Sequence, residues 1–365
     1  MSIHRRSEGS SSSEASISRA SLGLEPRIIQ IHPTLTCNLQ CKHCYSSSAP
    51  SIKGALNVDL LCAMVSDAAE MGYQVTAISG GEPFVYQELD VVLAHAKQCG
   101  MRTTVTTNGT LLDTKRLNKL EPYVDVMAIS LDGPPDMHNE VRQSAQAFDR
   151  LLKGVDRVRT SGIPFGFIHT LTKQSWGHLL WIADFAAQQG ASLLQLHPLE
   201  LNGRAEQLMQ VDSPDDDVLA RAYLITLVLA DKYRSSMSIQ FDVFRKDDLR
   251  EHPESIYASS LDGDISEMKA ADLLGLIVVE ADGTVVPISY GFAKDYAICN
   301  IRYQRLSEAW PSYRQRGYLA FRKLCKDLFK EIAVPSELPF FNWHELIVTR
   351  SHKRTNGTVV TSRSC

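Results

Sequence analysis

Apolar and polar positions follow a repeating order along the first two-thirds of the chain: a short apolar run, a polar turn, an amphipathic stretch, then a glycine. The runs at 28–32, 75–79, 103–107, 126–131, 165–171 and 193–199 are rich in apolar and β-branched residues, the signature of six short strands. Leu61, Met64, Val65 and Ala68 fall at i, i+3, i+4 and i+7, which is one apolar helical face. Asn57 is placed to cap the start of that helix and Gly72 to end it in the left-handed conformation. The helix, glycine, strand order returns at Cys99-Gly100-Met101, Ser161-Gly162-Ile163 and Gln189-Gly190-Ala191. Strands alternating with amphipathic helices predict a parallel sheet with right-handed crossovers. Periodicity alone fits an open doubly wound sheet as well as a curved barrel, and in both cases sites form beyond the strand C-termini.

From about residue 205 the alternation gives way. Residues 212–217 read as the capped start of a long helix ending near Tyr233, and 276–287 as a β-hairpin with Asp282-Gly283 at its turn. The expected organisation is a disordered Ser-rich segment at 1–26, a core at 27–235, a smaller α+β extension at 236–350 and a loose polar tail at 351–365. Each predicted strand ends in a polar or glycine-containing group: 79–83, 106–109, 130–133, 169–172 and 197–200. These converge on one rim, where Thr107, Asn108, Ser130 and Asp132 offer groups suited to a ribose and an amino-acid head group. For Asn108 and Asp132, turn formation or helix capping is an equal reading.

Composition narrows the class. The chain has 365 residues, 44% of them hydrophobic and 22% charged, as expected of a soluble globular protein. A formal net charge of -4 and a pI near 6.3 give no basic footprint, which argues against nucleic acid as the main partner. No run approaches the roughly 18 apolar residues of a membrane span, and the first residues lack the apolar segment of a signal peptide. Eight cysteines without a disulfide-like spacing point to a reducing cytoplasm. Cys62 and Cys99 lie within amphipathic segments and read as small packing residues.

The concentrated chemistry is Cys37-Asn38-Leu39-Gln40-Cys41-Lys42-His43-Cys44, a CxxxCxxC loop just after the first strand. Three thiolates on one loop can hold three irons of a 4Fe-4S cluster and leave the fourth iron without a protein ligand. Zinc is the competing reading, but structural zinc needs a closed set of four ligands, and His43 lies between two of the cysteines, poorly placed to complete one.

Together with Ser79-Gly80-Gly81-Glu82-Pro83, this loop resembles the radical SAM enzymes over about residues 27–200. The resemblance implies a partial (β/α)6 TIM-like barrel. It further implies that Cys37, Cys41 and Cys44 bind a 4Fe-4S cluster and that S-adenosylmethionine (SAM) chelates the open iron. Gly80, Gly81, Glu82 and Pro83 would bind the SAM amino group, and the ends of the third and fourth strands would contact SAM through Thr107, Asn108, Ser130 and Asp132. Arg142 would grip the SAM carboxylate, for which a guanidinium is well shaped. Leu196 and His197 are candidates near the adenine, whereas His138 reads as a surface histidine at a helix start.

The order of 276–310 resembles the SPASM or twitch extension of that family, in which a cysteine after the hairpin helps hold an auxiliary cluster. Ile288 stands there instead, and Cys299, Cys325 and Cys365 form no CxxC, so one cluster is expected. The implied activity is reductive cleavage of SAM to a 5'-deoxyadenosyl radical that abstracts hydrogen from a peptide or small metabolite, with flavodoxin or ferredoxin as electron donor. The alternative is an inactive cluster-binding or regulatory protein of the same fold. With SAM at the first four strand ends, substrate contacts are expected from His169, His197, Glu200 and Arg204. For the last two, an i,i+4 ion pair is the competing reading.

Overall fold

A computed structural model describes residues 27–251, 265, 268–333 and 340–356. The segment 1–26, expected to be disordered, and the last part of the expected tail, 357–365, lie outside the described residues. Six strands form where the apolar runs predict them: β1 (Ile28–Ile31), β2 (Val75–Ile78), β3 (Arg102–Thr107), β4 (Val126–Ser130), β5 (Phe165–Leu171) and β6 (Leu193–Pro198). The crossovers carry helices α1 (Val58–Glu70), α2 (Leu89–Gln98), α3 (Thr114–Leu120), α4 (Pro135–Arg142), α5 (Ala147–Ser161) and α6 (Leu179–Gln188). Asn57 caps α1 by accepting from the Asp59 and Leu60 amides, and Gly72 takes φ 94 just past its end. Leu61, Met64, Val65 and Ala68 turn inward together, and Ile29, Ile31, Val105, Ile129, Phe167 and Leu194 are fully buried beneath the helices. Each such side chain contributes about 1.5–3 kcal/mol by leaving water.

The alternation continues one unit further than the sequence pattern suggests. After the short helix α7 (Arg204–Leu208), the long helix α8 (Asp216–Tyr233) starts at an Asp215 cap and returns the chain to β7 (Ser238–Phe241), which pairs parallel with β6. A short β8 (Phe244–Arg245) follows, and the expected hairpin is β9 (Leu276–Val279) with β10 (Thr284–Pro287), turned at Gly283 with φ 89. The hairpin does not stand apart: β9 pairs parallel with β1 on the side opposite β2. With β11 (Cys299–Asn300) the sheet order is β11-β10-β9-β1-β2-β3-β4-β5-β6-β7. The fold is therefore mixed α/β with a largely parallel central sheet, a partial barrel whose two edges do not pair with each other.

Later segments are fastened to this sheet. Asp67 on α1, 2% exposed, accepts from Arg305 at 2.5 Å and from the Ser307 amide at 3.1 Å, which docks the helix Leu306–Gln315. Past β12 (Phe340–Phe341), which pairs with β8, the helix Trp343–Asn356 touches segments distant in strand order. Glu345 accepts from the Leu201 amide after β6, while Ser351 accepts from the Ala293 amide after β10. The tail expected to be loose from Ser351 is thus helical through Asn356, and Ser351 itself is fully buried. Among the described residues no helix is long and apolar enough to cross a membrane.

Candidate functional site

The cysteine loop leaves β1 and is pinned by its own polar residues before the first thiol. Thr34 donates to the Gly54 carbonyl at 2.6 Å, and Thr36 to that of Ile52 at 2.8 Å. Cys37, Leu39, Cys41 and Cys44 then form a small apolar cluster separate from the main core, with Cys37 and Cys41 8% and 7% exposed. Burial pushes the Cys37 thiol up to about 12 and raises that of Cys41. Among the described residues no three His, Cys, Asp or Glu side chains gather closely enough to hold one metal ion. His43 is engaged by Asp132, at 3.1 Å. The donor set is three thiols from one dry loop, which suits a polynuclear iron–sulfur group and supplies no closed tetrahedral set.

The loop after β2 packs directly on this arm. The Gly81 amide donates to Thr34 at 2.9 Å and the Glu82 amide to Thr36 at 3.0 Å. A Cβ on Gly81 would lie 2.2 Å from the Thr36 oxygen and one on Gly80, at φ 110, 2.7 Å from that of Thr34, so only glycine permits the approach. Pro83 opens a single helical turn. Glu82, 1% exposed, is saturated: its carboxylate accepts from Thr107 at 2.7 Å, the Asn108 amide at 2.8 Å and the Phe84 amide at 3.1 Å. Burial still raises its pKa. Asn108 donates to Asn38 at 2.9 Å and reaches the Cys37 sulfur at 3.9 Å. Thr107 and Asn108, expected as SAM contacts, thus use their side chains here to join the β3 end to Glu82 and the cysteine loop.

At the end of β4, Ser130 is half-buried and Asp132 is 3% exposed. Asp132 accepts from Arg142 at 2.6 Å while its amide donates to His138 at 3.2 Å. Burial alone would raise the Asp132 carboxyl, but Arg142 and His43 outweigh it and hold it well below the usual carboxylate range. Arg142 also lies against the Cys41 thiol. Arg142, expected to grip the SAM carboxylate, thus pairs through its Nε with the neighbouring Asp132. His138 corrects the surface reading: it is fully buried, its Nε2 has no hydrogen-bond partner among the described residues, and burial lowers its pKa to about 4.

The expected substrate group separates. His169 is fully buried, its Nδ1 on the Leu131 carbonyl at 2.9 Å and its Nε2 on Ser175 at 3.0 Å, so both ring nitrogens are engaged in joining strand ends. Leu196 is equally buried, and its carbonyl accepts from the Asp242 amide at 2.9 Å. Arg204 neither pairs with Glu200 nor points away from the cysteines: it donates to the carbonyls of Cys41, Ser47 and Ser48 at 2.7, 3.0 and 2.8 Å. His197 and Glu200 remain at the ends of the later strands. His197 meets Asp242 at 2.8 Å, and Glu200, raised by burial, lies near Asn342 and Glu345.

Asp242, Asn342 and Glu345 carry no local motif, and only the fold brings them here. Tyr290 was equally hidden. Ile288 takes φ 63, unusual for a β-branched residue, and the chain turns so that Tyr290 stacks on His32 at 4.8 Å and meets Tyr45 edge-on at 5.4 Å. Tyr45, directly after the third cysteine, could have signalled that contact.

Residues 31–186 match the family model of the Radical SAM superfamily. The Fe-coproporphyrin III synthase of Methanosarcina barkeri (strain Fusaro) is 31% identical over 181 residues, covering 49% of this chain and 45% of the relative. An AdoMet-dependent heme synthase of the same organism is 29% identical over 193 residues, covering 52% and 55%. The chain thus spans about half the length of these curated relatives. Among solved structures, SuiB of Streptococcus suis bound to S-adenosylmethionine superposes with a TM-score of 0.64 at 18% identity, covering 82% of this chain and 68% of that one. SuiB has also been solved bound to precursor peptide SuiA. At this identity the likeness is one of fold.

Proposed function

We propose, from the premise that residues 31–186 are a radical SAM domain with a 4Fe-4S cluster and SAM as its cofactors, that this protein is a cytoplasmic enzyme abstracting hydrogen from a biosynthetic substrate. When bound, the two cofactors supply a 5'-deoxyadenosyl radical, with the electron coming from a donor such as flavodoxin or ferredoxin. The observation that carries the reading is the set of three thiols clustered on one loop, two of them buried and Cys44 partly so, whose arm at Thr34 and Thr36 packs against Gly80 and Gly81.

Cys37, Cys41 and Cys44 would hold three irons of the cluster. Gly80 and Gly81 let the β2 loop lie against the cysteine arm, and Glu82 fixes that loop through Thr107 and Asn108. Asp132 and Arg142 neutralise each other beside Cys41, so a zwitterionic head group would meet a pair able to offer one donor and one acceptor. His197 and Glu200, with Asp242 and Glu345, are the polar groups left to orient a substrate, and orientation near the radical source is what the protein must supply. The extension at 236–350, read as a SPASM- or twitch-like unit without a cluster, would contribute Asp242 and Glu345 to this surface, and Tyr290 beside His32 and Tyr45.

The tetrapyrrole names of the curated relatives support a small metabolite as substrate, and the peptide-bound fold neighbour supports a peptide. The test is anaerobic reconstitution followed by SAM and dithionite, with chromatography for 5'-deoxyadenosine. Its formation by the wild type and its absence from Cys41→Ala are expected. A fully loaded cluster that never yields 5'-deoxyadenosine would instead favour an inactive cluster-binding protein.

A further inference from the structure

The far side of the cysteine loop is held by two residues of the segment after β6. Gly203 takes φ 59 and ψ -126, and a Cβ there would lie 2.2 Å from the Tyr45 carbonyl oxygen and 2.9 Å from that of Cys44. The next amide, that of Arg204, donates to the Cys44 carbonyl at 3.0 Å. The guanidinium then spans the loop, with Nη1 on the Cys41 carbonyl and Nη2 on those of Ser47 and Ser48. Two of the three cysteines, Cys41 and Cys44, therefore have their own carbonyls tied to Arg204.

We propose that Arg204 is a positioning residue for the iron–sulfur site, fixing the backbone of the cysteine loop and lending its positive charge to the group the thiols hold. The inference rests on the reading of this loop as a 4Fe-4S site. A planar guanidinium presents several donors in a rigid fork, which suits carbonyls converging from separate points of a loop better than a single ammonium would. Among the described residues its partners are neutral carbonyls, and it forms no salt bridge with a carboxylate, so its charge is not cancelled locally. A one-electron reduction adds negative charge at the cluster, and a nearby uncompensated cation favours that state. Cluster potentials respond to local charge, hydrogen bonding and exposure.

The experiment compares reconstituted wild type with Arg204→Gln and Arg204→Lys, by redox titration followed by electron paramagnetic resonance and by the rate of iron release to a chelator. In Arg204→Gln the reduced-to-oxidised ratio at fixed potential should fall about tenfold, which is about 59 mV for a one-electron couple. Arg204→Lys, which keeps the charge, should keep the wild-type potential. Both should release iron faster, because the fork across three carbonyls is lost. A wild-type potential in Arg204→Gln would overturn the proposal whatever the release rate, since a merely structural residue would move only the latter. If Arg204→Gln takes up no cluster, Arg204→Lys decides: loading restored at the wild-type potential supports the role, and loading equally lost contradicts it. A wild type that itself binds no cluster would refute the underlying reading of the loop.

Discussion

The ends of β1 to β4 and the ends of β5 to β7 are built in different ways. On the first side nearly every polar side chain is spoken for by another. Glu82 joins Thr107 and Asn108, Asn108 joins Asn38, and Asp132 joins His43 and Arg142. On the second side His169 is sealed in and Arg204 reaches across to the cysteine loop, while Asp242 pairs with His197 and two carboxylates, Glu200 and Glu345, lie close to one another. A site for a constant cofactor can be over-determined, because its geometry never changes. A surface that must admit a variable substrate is under no such constraint, and here two like charges, Glu200 and Glu345, are held side by side. The two sides should therefore fail in different ways.

The largest effect belongs to the thiols. Cys37→Ala, Cys41→Ala and Cys44→Ala should each abolish the brown absorbance of the reconstituted protein, whereas Cys62→Ala should keep it. A single one of the three variants retaining full iron and SAM cleavage would break the assignment. Next comes Gly81→Ala, whose new methyl would fall 2.2 Å from the Thr36 oxygen and must push the cysteine arm or the β2 loop aside. Most of the iron should be lost while the far-ultraviolet circular dichroism of the folded core persists, and normal iron loading would show that the close approach is dispensable.

On the opposite side, Glu200→Gln and Glu345→Gln should leave iron content and uncoupled 5'-deoxyadenosine formation unchanged. Substrate-coupled turnover should drop about tenfold, corresponding to about 1.4 kcal/mol of lost orientation. Equal turnover in both variants and the wild type would remove these carboxylates from the substrate surface. The last effect leaves activity aside and concerns stability alone: it belongs to His169, whose pKa burial lowers from 6.5 to about 4. Its neutral form is favoured by folding, so its contribution to stability is complete above pH 6.5 and fades as pH falls towards 4, by at most about 3 kcal/mol. Urea midpoints across that window should fall more steeply for wild type than for His169→Gln, and parallel slopes would show that the buried ring does not titrate.

The same contrast explains what was legible in the sequence. Strands β1 to β6, the capped α1 and the β9–β10 hairpin follow from local periodicity, capping and turn chemistry, and the cysteine loop and GGEP segment are contiguous motifs. The edges of the sheet were harder. β7 is a four-residue strand in a polar setting, and nothing in 276–279 says that this run will pair with Ile28–Ile31 rather than form a separate unit. The later rim is hard to read from sequence for a related reason. Placing His169 and Arg204 at a strand end locates their backbones, but whether a side chain faces the mouth or is claimed by Ser175 or by the Cys41 carbonyl depends on contacts across the fold. Asp242 and Glu345 depend on such contacts entirely.

One iron–sulfur cluster is expected on this chain, on the cysteine loop alone, because Ile288 stands where a second site would need a thiol. The most direct measurement is the iron and acid-labile sulfide content per chain of anaerobically reconstituted wild type and Cys37→Ala. About four irons are expected in the wild type, one cluster's worth, and almost none in the variant. A value near eight that falls only to about four in Cys37→Ala would contradict this expectation, because a second cluster would then be bound elsewhere on the chain.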